Sequence, residues 1–168
     1  DIAVGRTSAE VVVAHELAHE WFGNSISLTQ WKDIWLNEGF ATYLSMLWVE
    51  HSRGQAAMLR EMDSYYSILT GQTRRSTAPA NPPQDDLFND GVYLRGAWTL
   101  HVLRQTVGDK VFFDILRAYY DRFKYGNATT TDFISIASEV SGQDLNDLLQ
   151  AWLFNEKVPP KPKPQFKS

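Results

Sequence analysis

The stretch TSAEVVVAHELAHEWFG, residues 7–23, runs through NSISLTQWKD, residues 24–33, into IWLNEGFATYLSMLWVEH, residues 34–51, and its reading decides the fold. Thr7-Ser8-Ala9-Glu10 has the form of a capping box, a hydroxyl residue followed three later by Glu. It predicts a helix closed by Gly23, a residue that tolerates a left-handed cap. Residues 24–33 read as a connection with a short extended piece. The third segment predicts a second helix with Trp35, Phe40, Leu44, Leu47 and Trp48 as its apolar positions.

Further along, Gly54 punctuates the chain and QAAMLREMDSYYSIL predicts a third helix. Residues 71–91 have loop composition, with Gly71, Pro79, Pro82, Pro83 and Gly91 among several Asp and Asn. YLRGAWTLHVLRQTV and KVFFDILRAYYDRFKYG follow as helices. Thr130-Thr131-Asp132 is expected to cap FISIASEV, where Phe133, Ile136, Ala137 and Val140 share a face. In LNDLLQAWLF the residues Leu145, Leu148, Leu149, Trp152 and Leu153 form an apolar stripe. From Val158 the composition turns to Pro and Lys. The expectation is an all-α domain over 1–157 with a Pro/Lys-rich linker or tail over 158–168, and no internal repeat.

Composition agrees with one globular domain: 168 residues, 43% apolar and 21% charged. That excludes a fibrous or intrinsically disordered chain. No apolar run approaches the ~20 residues needed to span a bilayer. Sixteen basic against twenty acidic residues, a net charge of −4, give no support for nucleic-acid binding. With no cysteine there is neither a disulfide framework nor a thiolate site, and the compartment stays open. Six Trp within 13% aromatic residues point to core and interface packing. Asp1-Ile2-Ala3 does not open a signal peptide and reads as the start of a chain cut from something longer.

The chemistry lies in the first forty residues. His15-Glu16-Leu17-Ala18-His19 is an H-E-x-x-H on a predicted helix. Residues i and i+4 lie one turn apart on the same face, so two imidazoles can reach one metal ion, with Glu16 beside a water held there. Catalytic zinc takes three protein ligands and leaves one position open. Glu38, separated from His19 by eighteen residues, can complete the set if the two helices pack together. Glu20 falls on another helix face and reads as structural. His51 and His101 lack a metal-type partner at helical spacing and read as surface or packing residues. Thr42, one turn after Glu38, is either a residue orienting that ligand or a plain helix-face threonine. Arg74-Arg75 reads as solvated.

HELAHEWFGNSIS followed by WKDIWLNEGFATYLS resembles the aminopeptidase-N-type zinc metallopeptidases, gluzincins with a thermolysin-like catalytic domain. The resemblance implies that His15, His19 and Glu38 bind one Zn²⁺ and that Glu16 is the general base. The family's Tyr-x-Lys-Gly-Ala segment is matched by VYLRGAW. That makes Tyr93 the expected transition-state donor, with Arg95 standing where the family has Lys. The fold implied is the multi-helix subdomain of that catalytic domain. No Gly-x-Met-Glu-Asn segment precedes the zinc helix, so the N-terminal lobe that anchors a substrate's free amine is expected to be missing from this chain. The implied activity is hydrolysis of N-terminal peptide bonds by the full-length metalloaminopeptidase, acting on a peptide substrate, with the isolated chain weakly active or inactive. Self-association through the uncovered face is expected. The alternatives are an endopeptidase or other zinc hydrolase on this scaffold, or a non-catalytic metal-binding interaction domain.

Overall fold

Residues 2–71 and 77–162 are described by the computed structural model, with residues 2–8 as backbone only. Arg74, Arg75 and the end of the Pro/Lys-rich segment, 163–168, lie outside the described residues. Among those described there are seven α-helices and one pair of three-residue strands. None of the helices is long and apolar enough to cross a membrane.

Helix α1 spans Ile2–Ala18. The capping-box reading of Thr7–Glu10 is therefore corrected, because the backbone is already helical there. The helix also stops at Ala18 rather than at Gly23. The chain leaves it through a tight turn in which Asn24 N donates to His19 O (2.8 Å) and Gly23 N to Ile26 O (3.1 Å). Gly23 sits at φ +143°, in a region L side chains rarely adopt. Strand β1 (Ile26–Leu28) and a 3₁₀ turn (Trp31–Asp33) lead into α2 (Trp35–Arg53). Only Gly54 separates α2 from α3 (Gln55–Thr70). After the loop, a π-helical turn (Gly91–Arg95) runs directly into α4 (Gly96–Val107). Then come α5 (Asp109–Phe123), strand β2 (Gly126–Ala128), α6 (Thr130–Ser141) and α7 (Asn146–Phe154). β1 and β2 pair in parallel, Ile26 opposite Gly126 and Leu28 opposite Ala128.

α2 is the central element, with α1, α3, α4 and the π turn against it. Its buried side matches the expected one in part. Trp35 and Phe40 are buried and Leu44 and Leu47 pack half-buried against the core, but Trp48 is 43% exposed and Tyr43, Met46 and Val49 complete the inner face. The apolar residues of α2 run nearly all round the helix, so periodicity alone does not choose the face; its four packed neighbours do. Phe22, Trp35, Phe40, Tyr119 and Phe133 form an aromatic nucleus, with Phe22–Phe40 centroids 4.9 Å apart and Phe40–Phe133 5.1 Å apart in edge-on contact.

A buried polar link fixes the start of α2. Trp35 Nε1 donates to Thr130 Oγ1 (2.8 Å), which donates to Asp33 Oδ1 (2.6 Å). The same carboxylate oxygen accepts from Thr130 N at 3.1 Å. The capping box of α6 is built on Thr129 and Asp132, one residue earlier than expected. At the other end of the chain, Val158–Pro162 lies back on the helices. Tyr66 Oη donates to Pro159 O (3.0 Å), and the Lys161 ammonium stands 4.8 Å from the Tyr66 ring centroid. The buried Arg95 guanidinium donates through Nη2 to Ala151 O and Lys157 O (3.1 and 3.3 Å).

Candidate metal centre

His15 lies in the last turn of α1, His19 directly follows the end of that helix, and Glu38 lies in the first turn of α2. Four-residue spacing puts the two imidazoles on one side of α1. The link from Asp33 and Trp35 to α6 holds the opening of α2 where Glu38 meets them. His15 Nε2 and His19 Nε2 are 3.2 Å apart, and each lies 3.4 Å from Glu38 Oε2.

That triangle fits a metal ion on two grounds. Ligand atoms ~2.0–2.2 Å from a tetrahedral zinc are about 3.3–3.5 Å from one another. The donor chemistry agrees. His19 Nδ1 lies 3.1 Å from Phe22 O; a carbonyl only accepts, so Nδ1 carries the proton and Nε2 presents a bare lone pair. A lone pair and a carboxylate oxygen facing each other at this distance need a cation or a proton between them. Without a metal, a proton takes that place. Hydrogen bonding to Glu38 raises the His19 pKa above its ordinary value. Burial raises the Glu38 carboxyl, but the two imidazoles outweigh it and hold the group down at about 2.

Around the triangle is an open cleft of about 710 Å³, lined also by Glu16, Glu20, Asn24, Asn37 and Tyr93. Glu16 is exposed and borders the two imidazoles. Tyr93, half-buried on the π turn, stacks near His15 with ring centroids 6.2 Å apart. Burial, then the negative charges of Glu38 and Glu16, push the Tyr93 hydroxyl up to about 12. It therefore stays protonated, and able to donate, through the neutral range. The five residues singled out by motif thus converge on one cleft. Glu20, read as structural, comes to the rim of that cleft and accepts from Asn24 Nδ2 at 3.2 Å. Asn24 and Asn37 escaped the sequence reading; the available signal for Asn37 was its place directly before Glu38. Thr42 is buried and lines a neighbouring groove shared with Glu16 and Tyr93. His51 is exposed against Trp48. His101 is buried between Tyr43 and Gln105, at 3.2 and 3.1 Å.

The sequence pattern of the peptidase family M1 domain matches residues 3–152. The chain belongs to peptidase family M1. Among M1 relatives, aminopeptidase N of Lactococcus lactis is 34% identical over 94% of this chain and 20% of its own length. Rat glutamyl aminopeptidase is 32% identical over 84% of the chain and 16% of its own. The crystal structure of an M1 zinc metallopeptidase from Deinococcus radiodurans superposes with a TM-score of 0.85 at 32% identity, covering 94% of this chain and 35% of that one. Leukotriene A4 hydrolase of Saccharomyces cerevisiae gives 0.75 at 26% identity over 91% of this chain and 27% of its own. The chain spans about a fifth of the length of the curated M1 relatives it matches.

Proposed function

We propose that this chain carries the zinc centre of a metalloaminopeptidase and that a polypeptide of the relatives' length removes N-terminal residues from peptides. The observation that carries the reading is the 3.2–3.4 Å triangle of His15, His19 and Glu38, with a carboxylate and a phenol on the same cleft. Family membership and the L. lactis and D. radiodurans relatives support it. Zinc, when bound, polarises a carbonyl oxygen and acidifies a water. His15, His19 and Glu38 hold the ion. Glu16, free in the cleft, accepts the proton of the attacking water and passes it to the leaving amine. Tyr93 donates a hydrogen bond to the oxygen on which negative charge develops.

The substrate's amine has no evident anchor on the described residues. We therefore assign it to a lobe outside this chain, as the curated relatives' greater length allows. The side of α1 turned away from the histidines carries exposed Val13 and Leu17, at 57% and 56%, and Trp21, in the turn after the helix, is 51% exposed. This is the surface such a lobe would cover, and the surface through which the isolated chain would self-associate.

A second reading, a zinc hydrolase acting on another bond, is favoured by the likeness to leukotriene A4 hydrolase. One experiment separates the readings. Zinc content is measured for wild type and His19→Ala, and the long polypeptide is then assayed on free and N-acetylated peptides. Zinc near one per chain, lost in the variant, with turnover restricted to free amino termini, is the expected result. Equal turnover of blocked peptides points to an endopeptidase. Unchanged zinc in His19→Ala would falsify the ligand set.

A further inference from the structure

The ligands of the triangle come from the end of α1, the residue directly after it and the start of α2, but Tyr93 does not. It reaches the cleft from the π turn, so its distance from the triangle is set by how closely that turn approaches α2. The approach occurs at two glycines. Gly39 directly follows Glu38 on α2, and Gly96 is the residue at which the π turn passes into α4. A Cβ built on Gly39 would lie 2.9 Å from Gly96 Cα and 3.2 Å from Val92 O; one built on Gly96 would lie 3.0 Å from Gly39 Cα. Carbons pack at ~3.5–4.0 Å, and backbone is the obstacle on both sides. A methyl group at Gly39 must therefore force the turn away from α2, and one at Gly96 requires the two backbones to part by a few tenths of an ångström.

The other end of the turn is also held. Asn89 Oδ1 accepts from Gly91 N (2.8 Å), Val92 N (3.3 Å) and Thr77 Oγ1 (2.6 Å). These bonds occupy amides that open the turn. A π turn widens the helix by one residue. Here the widened stretch carries Tyr93 at its middle position.

We propose that Gly39, Gly96 and Asn89 are positioning residues for Tyr93: the side-chain-free contact sets the gap between its hydroxyl and the metal triangle, and Asn89 fixes the turn along its length. The inference rests on the functional reading above. It separates two properties that one site would otherwise lose together. Displacing the turn leaves His15, His19 and Glu38 in place at the end of α1 and the start of α2, so zinc is retained while the catalytic step weakens. A displacement of about 1 Å near the chemistry costs up to ~10²-fold in rate.

The experiment compares Gly96→Ala, Tyr93→Phe and the double variant in the long polypeptide, reading zinc content, KM and kcat. Gly96→Ala should keep one zinc per chain and a KM within about threefold, and lose about 3–10-fold in kcat. In the Tyr93→Phe background the same change should cost almost nothing, because residues acting through one group are not additive. An independent readout is fluorine NMR of metal-free protein carrying fluorotyrosine. The resonance missing from Tyr93→Phe should move in Gly96→Ala. If Gly96→Ala does not accumulate as folded protein, Asn89→Ala enters the same cycle with the same expectations. Equal losses with and without the Tyr93 hydroxyl, or an unmoved resonance, overturn the positioning role. A wild type without peptidase activity, or a fully active Tyr93→Phe, overturns the functional reading instead, and the resonance then decides the positioning on its own.

Discussion

The two nitrogens of His19 do different work. Nδ1 is tied to Phe22 O at 3.1 Å, and Nε2 is left for the cleft. Gly23 helps here, since a Cβ on it would stand 3.1 Å from that same Nδ1. Glu16, by contrast, belongs to the cleft without belonging to the triangle. Glu16→Gln keeps the shape and removes the proton acceptor. In the long polypeptide it should hold zinc at wild-type stoichiometry and lose ~10²–10⁴-fold in kcat. Metal analysis beside single-turnover kinetics checks this, and near-normal turnover of the zinc-loaded variant rules Glu16 out as the base. Tyr93→Phe should lower kcat by about 10²–10³-fold with KM nearly unchanged, since an oxyanion donor acts mainly in the transition state. A raised KM with normal kcat would make Tyr93 a substrate-packing residue.

At the scale of elements, α4 shows how burial sets a pH response. His101, 5% exposed, packs against the rings of Trp98 and Tyr43 with centroids 5.1 and 5.8 Å away. Burial, assisted by the Arg104 charge and only partly opposed by Glu50 and Asp63, lowers its pKa from 6.5 to about 4. Between those values the unfolded chain binds a proton that the folded chain refuses, so stability rises with pH across the window. The contribution is fully present above pH 6.5 and is lost as pH falls through about 4. Its size is on the order of 3 kcal/mol. Urea unfolding followed from pH 7 down to pH 4 should show this loss, and His101→Gln should flatten the slope over that window. An unchanged slope in the variant would move the effect to another group.

For the whole molecule, the question is what covers α1. Val13 and Leu17 stand one turn apart, with Trp21 following and Trp31, 64% exposed, on the 3₁₀ turn. Exposed large apolar side chains in this number point to a partner surface rather than one that stays in water. The isolated chain should therefore associate as its concentration rises, and Leu17→Glu with Trp21→Glu should shift it toward monomer while zinc binding is kept. Sedimentation velocity over a hundredfold concentration range reads this out. A wild-type chain that stays monomeric throughout removes the self-association proposal. The chain alone should also be a poor aminopeptidase when zinc-loaded, because an open cleft neither orients the substrate nor excludes water. Equal kcat/KM for the chain and the long polypeptide at matched zinc occupancy would show that no further lobe is needed.

The sequence by itself determined the helical class and the pairing of His15 with His19, beside Glu16; Glu38 joined them only through the packing of α2 against α1. The reason is that helical spacing is local: four residues apart means one face and one turn, whatever the rest of the chain does. Tyr93 was legible only through a family pattern, because nothing local joins it to the H-E-x-x-H helix. Tertiary structure alone decided the rest. It chose which side of α2 is inside, putting Tyr43 and Met46 in the core and Trp48 in water. It paired β1 with β2, whose three-residue lengths leave almost no periodic signal. It buried Arg95 beneath the carbonyls of Ala151 and Lys157. It also brought Gly39 against Gly96, an approach set by the backbones of two elements far apart in sequence. A glycine's neighbours cannot be read from its own position, because what matters there is the missing side chain and whatever packs into the space it leaves.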